Sequence, residues 1–178
     1  MKRSIGISQW IGFGVTAAGG TLLHFLYDWL GKAEWIAPFS GINESTWEHM
    51  KLLFWPMVIF AVIQSFFFKD NKNYWCIKLK SILLGLTLIP ILFYSYNGII
   101  GVSPDWINIS IFFIADAIAF IYEYKQFKIF ANNNTCISKK LSIILIIILA
   151  IMFILFTFVT PKINLFKDPI TGGHGIIK

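Results

Sequence analysis

Residues 141–160 read LSIILIIILAIMFILFTFVT, twenty in succession without a charged side chain. Coiled as an α-helix, this run rises about 30 Å, the thickness of a bilayer's hydrocarbon core. Runs of comparable length and character lie near 8–30, 47–68, 78–97 and 105–124. In lipid a single apolar segment satisfies its own backbone N–H and C=O groups only as a helix. The expectation is therefore an all-α integral membrane bundle of about five transmembrane helices over 1–161, followed by a polar tail over 162–178.

Composition agrees. Of 178 residues, 57% are hydrophobic and 13% charged, against about 25% charged in soluble domains, and the mean hydropathy is +0.70. The 18 Phe and 7 Trp suit lipid packing and interfacial anchoring. Although the net charge is +6, no basic patch with interleaved aromatics occurs on a polar segment. The expected partner is the bilayer and not nucleic acid. Lys2 and Arg3 precede an apolar run as in a signal peptide, but that run is too long for one, so a retained first helix is expected.

Ten of the fifteen Lys and Arg fall at the N-terminus and in the 69–80 and 125–140 loops. With five spans these regions share one side, which puts the N-terminus in the cytoplasm and the C-terminus outside. Cys76 and Cys136 lie beside those loops without a CxxC pattern, so neither a disulfide nor a structural zinc site is expected. Six of nine acids, Asp28, Glu34, Glu44, Glu48, Asp105 and Asp168, gather toward the outer side. Simple solvation of loops accounts for such clustering without any site.

Two polar blocks interrupt the apolar pattern. The first runs Asn43-Glu44-Ser45-Thr46-Trp47-Glu48-His49-Met50-Lys51 into the second span, opening it with the Ser-x-x-Glu capping box. The second is His24 and Asp28, which end a ridge of Gly12, Thr16 and Gly20 at steps of four. Small residues on that ridge let another helix approach closely and turn its polar end into the bundle. Asn43, Glu44 and Lys51 complete the candidate pocket.

His24, Asp28, Glu48 and His49 are the ligand types that zinc or a similar divalent cofactor takes. No established metal signature contains their spacing. The same residues also suit structural pairing, with Asp28 on Lys51 or Lys32, or the binding of an organic or ionic ligand. Asp116 falls near mid-membrane, where an acid costs about 2.5–3.5 kcal/mol to insert. It reads either as a proton relay or as an acid bonded to a hydroxyl such as Tyr96 or Ser110. Serine-hydrolase, Walker A and dinucleotide-binding motifs are all absent.

The string Leu23-His24-Phe25-Leu26-Tyr27-Asp28-Trp29, the Asn43–Lys51 block, and the tail Asn164-Leu165-Phe166-Lys167-Asp168-Pro169 with Gly172, Gly173 and Gly175 resemble a family of small multi-pass membrane proteins of Firmicutes. That family is catalogued only as a domain of unknown function. The resemblance implies a bacterial plasma membrane and joins the two polar blocks in one site, and it brings no activity. The leading expectation is an outer-leaflet pocket binding or transporting a cation or small polar ligand. A metal-dependent membrane hydrolase acting on a lipid or other amphiphile is the alternative, and a structural or assembly protein is the third reading.

Overall fold

The structure is a computed structural model that describes residues 2–101, 104–129 and 136–176. Five α-helices follow in order: α1 (Lys2–Trp29), α2 (Thr46–Ser65), α3 (Tyr74–Ile99), α4 (Asp105–Ile129) and α5 (Lys139–Phe158). A short 3₁₀ turn, Asn164–Phe166, lies in the tail. Among the described residues there is no strand, only an isolated antiparallel bridge between Lys167 and His174.

Local chemistry sets the helix ends. α1 stops where Gly31 takes φ +64°. There Lys32 N donates to Tyr27 O and Gly31 N to Asp28 O, the paired bonds of a Schellman cap. α2 starts behind Ser45, whose Oγ accepts from Glu48 N at 3.4 Å. α5 starts behind Ser138 in the same way, with Leu141 N as donor.

Two helices begin earlier than their apolar runs suggest. Ile5 is buried against Tyr74, Ile77 and Phe127, so α1 gains packing ahead of the hydrophobic stretch. Tyr74 OH donates to Ala61 O at 2.6 Å, which anchors the first turn of α3 against α2. The basic loop before α3 is correspondingly shorter, and Lys78 belongs to the buried face of the helix.

Of the expected five spans, three among the described residues are long and apolar enough to cross a membrane: α3, the Trp106–Ile129 stretch of α4, and α5. The polar content of the other two explains why they fall short. α1 carries Ser8, Gln9, Thr16, Thr21 and His24, and α2 carries Glu48, His49, Lys51 and Gln64. α5 turns Ile144, Ile148, Ile151 and Leu155 outward, leaving an apolar sheath where a soluble protein would place charge. Cys76 and Cys136 are bonded to each other, with Cα atoms 6.1 Å apart. That corrects the expectation of free thiols: Cys136, just ahead of α5, lies beside Cys76 in the first turn of α3.

Helix α1 packs on α2 and α4, and α3 on α2, α4 and α5. The α1 glycines make its two contacts close. A Cβ on Gly12 would run into the Phe120 and Phe60 rings, and one on Gly20 into the Phe112 ring, with Leu52 O only 3.0 Å away. At Gly14 nothing lies within 4 Å. Under the tail, Trp47 stacks its ring 4.5 Å from Phe153 and 4.6 Å from Phe166, tying α2, α5 and the 3₁₀ turn into one aromatic core.

Gly20→Ala should therefore destabilise the fold by about 1–3 kcal/mol through overpacking. Gly14→Ala should leave stability unchanged or raise it by up to about 1 kcal/mol. Thermal unfolding of the two variants in one detergent checks the contrast.

Candidate functional site at the connection between α1 and α2

The connection between α1 and α2 is fixed from both sides. On the α1 side, Ser40 inserts its hydroxyl into the helix ladder. Its Oγ accepts from Tyr27 N at 2.9 Å and donates to Leu23 O. Gly41 N donates to the same Leu23 carbonyl at 3.2 Å. On the α2 side, Trp55 Nε1 donates to Pro38 O at 2.9 Å. Lys51 Nζ donates to Ala37 O at 2.7 Å, and Glu48 Oε2 accepts from Ile42 N at 3.1 Å.

Glu48 and Lys51 form an ion pair one helical turn apart, Nζ to Oε2 2.5 Å, with side-chain exposures of 4% and 0%. Lys51 Nζ also donates to Thr157 Oγ1 on α5 at 3.3 Å. Its three N–H bonds thus meet a carboxylate, a backbone carbonyl and a hydroxyl, the full capacity of an ammonium group. The expected capping box is only half realised. Ser45 caps Glu48 N, but the Glu48 carboxylate turns to Lys51 and Ile42, and Ser45 N donates instead to Asn43 Oδ1 at 2.9 Å.

Above this buried pair the two polar blocks meet. Glu44 lies between two imidazoles, with His24 Nε2 3.6 Å from Oε1 and His49 Nε2 3.6 Å from Oε2. The rings are 6.0 Å apart between centroids. His49 is oriented by its other nitrogen, Nδ1, 3.0 Å from Ser45 O. The cluster is half open, with side-chain exposures of 31% for His24, 39% for Glu44 and 16% for His49. The tail reaches the rim of this site, where Asn43 Nδ2 donates to Gly175 O at 2.9 Å. His174 is partly buried beside it.

The expected metal set of His24, Asp28, Glu48 and His49 is not gathered. Glu48 is committed to Lys51 beneath the histidines, and Asp28 is exposed. Steps of four residues rotate about 40° around a helix each time, so the ridge that buries Thr16 has turned outward by Asp28. Among the described residues no group of three or more His, Cys, Asp and Glu side chains is arranged to hold a metal ion. The structural pairing of Asp28 with Lys51 also gives way, because Lys51 pairs with Glu48.

Asp116 stands apart from this site. It is fully buried on α4, and neither carboxyl oxygen has a hydrogen-bond partner among the described residues. The hydroxyl of Ser110 is engaged instead by Trp106 O, at 2.7 Å. The contacts of Gly12 with Phe120 and of Gly20 with Phe112 set the register of α1 against α4. That register places Thr16 opposite Asp116, and the Thr16 hydroxyl is likewise buried without a partner.

A second buried ion pair has no counterpart in the sequence reading. Lys78 Nζ meets Glu123 Oε1 at 2.5 Å between α3 and α4, and the ammonium lies 5.1 Å from the Phe60 ring centroid. One signal was available: Glu123 lies seven residues after Asp116 on an apolar helix, hence on the same inward face.

Breaking the Glu48–Lys51 pair tests the framework. Lys51→Met should cost about 3–5 kcal/mol, because it strands a buried carboxylate. The double variant Glu48→Leu/Lys51→Met should recover less than half of that loss, since Ala37 O and Ile42 N stay unsatisfied. Equilibrium unfolding of both proteins reads the difference.

No curated protein and no solved structure matches the chain. Its sequence matches the model of a family of unknown function (DUF6512) over residues 1–176, so the chain belongs to that family.

Proposed function

We propose that this is a multi-pass membrane protein of a bacterial plasma membrane whose outer polar pocket binds a small hydrogen-bonding cation and passes it toward the bundle interior. The observation that carries this reading is the Glu44 carboxylate held between two imidazole nitrogens, 3.6 Å on either side. That spacing exceeds a direct hydrogen bond. It leaves a carboxylate oxygen and an imidazole nitrogen free to share a donor seated beside both. With Nδ1 directed to Ser45 O, His49 offers Nε2 as an acceptor beside the Glu44 carboxylate, so the site favours a cation of ammonium type.

The surroundings suit that role. Lys51, the neighbouring cation, is neutralised by Glu48 beneath the site. The connection that carries Glu44 is pinned at Ala37, Pro38, Gly41 and Ile42, which holds the carboxylate in place before any ligand arrives. Deeper in the bundle, Asp116 and Thr16 offer buried polar atoms without partners among the described residues, as a path for a cation or proton requires. The charge bias of the loops supports an N-terminus inside and a pocket outside.

Calorimetric titration of the purified protein with methylammonium should show saturable binding, weakened about tenfold or more in Glu44→Gln, as loss of a charge-assisted hydrogen bond implies. His24→Ala and His49→Ala should each weaken it further than a surface substitution does. In proteoliposomes, methylammonium uptake should fall on Asp116→Asn while binding is kept. Equal binding by wild type and Glu44→Gln would contradict the proposal.

A further inference from the structure

Toward the Lys2 end of α1, beside the contact of Ile5 with Phe127, a cavity of about 530 Å³ opens between α1 and α4. Its walls are apolar and aromatic: Trp10 and Phe13 from α1, Phe120, Ile121 and Tyr124 from α4. Trp10 is 76% exposed and Ile121 54%, so the cavity opens sideways onto the outer face of the bundle. Gln9 also lines it. This side chain is only 5% exposed, yet neither its Nε2 nor its Oε1 has a hydrogen-bond partner among the described residues. A buried amide in that state costs free energy that an apolar side chain would not. Both amide atoms are closed off from the open space of the groove, so what the groove offers an occupant is its apolar and aromatic wall.

Charge narrows the choice of occupant. Lys125 and Lys128 are exposed on α4 just beyond the cavity. The Lys128 ammonium lies over the ring of Tyr124, 4.0 Å from its centroid, and Tyr124 is part of the cavity wall. From Ile121 to Lys125 is one helical turn, about 6 Å along the axis. Apolar slot and basic rim therefore follow one another in the order of a phospholipid's acyl chain and phosphate. Basic pockets between membrane helices hold anionic headgroups by the same logic.

We propose that the groove between α1 and α4 is a binding site for one anionic phospholipid. An acyl chain lies against Trp10, Phe13 and Phe120, and the phosphate meets Lys125 and Lys128. The site is separate from the His24–Glu44–His49 cluster and stands whether or not that cluster binds a cation.

The test is native mass spectrometry of delipidated protein mixed with phosphatidylglycerol or phosphatidylcholine micelles. Wild type should retain one phosphatidylglycerol in preference to phosphatidylcholine. Ala117→Phe, which fills the groove, should lower retention about tenfold through loss of the apolar contact. Lys125→Gln/Lys128→Gln, at exposed positions that leave the packing alone, should abolish the preference between headgroups while the chain still binds. Equal retention by wild type and Ala117→Phe would overturn the proposal, and so would an unchanged headgroup preference in the double lysine variant. A dimer of the chain that Ala117→Phe dissociates would overturn it too.

Discussion

An ammonium group without access to solvent is the constraint on which the rest of this bundle turns. Lys51 has no exposed surface, and taking its charge out of water is costly unless every N–H finds an acceptor. Glu48, Ala37 O and Thr157 Oγ1 supply the three, one from its own helix, one from the preceding connection and one from α5. A charge that needs three partners from three segments can be buried only when all three are in place. The α1–α2 connection is thereby tied to α2 and, through Lys51, to α5, in addition to its own backbone turn bonds. Ser40 and Trp55 complete the fixation from either flank.

The position of the histidines follows from that. Glu44 sits one turn outside the buried pair, on a backbone whose neighbours Ile42 and Ser45 are hydrogen-bonded to Glu48 and Asn43. His24 is brought to it by α1, which the glycine contacts at 12 and 20 hold against α2 and α4. The polar cluster is thus a product of close backbone packing on one side and a satisfied buried charge on the other. Neither device is chemically reactive, and both serve to hold a carboxylate between two imidazoles.

Much of this was legible in the residues. Helix number, the Ser45 cap and the Gly31 stop follow from local patterns whose physics is short-ranged, whereas the joining of the two polar blocks was implied only by the family resemblance. What escaped was pairing across the bundle. Lys78 reads as a loop charge by its position beside Lys80, and only the buried Tyr74 shows that the helix has already begun. Glu48 reads as a cap or a ligand because helix N-termini favour acids, while its actual partners are Lys51 one turn on and Ile42 N in the preceding connection. Asp28 reads as a pocket residue because a step of four looks like a face, yet the drift of that step carries it outward. The bond between Cys76 and Cys136 depends on how the chain returns after α4, which no local pattern records. It also sits at the basic end of the bundle, where loop charge and thiol chemistry point to opposite sides of a membrane.

The central claim is that His24 and Glu44 are neighbours because Lys51 anchors the chain between them. Thiol cross-linking reads it most directly, using His24→Cys and Glu44→Cys in a background where Cys76 and Cys136 are serine. A short bifunctional reagent should join the pair rapidly in the folded protein, and the rate should fall sharply when Lys51→Met is added. A pair that fails to cross-link in folded protein, or that cross-links equally fast without Lys51, would contradict the account.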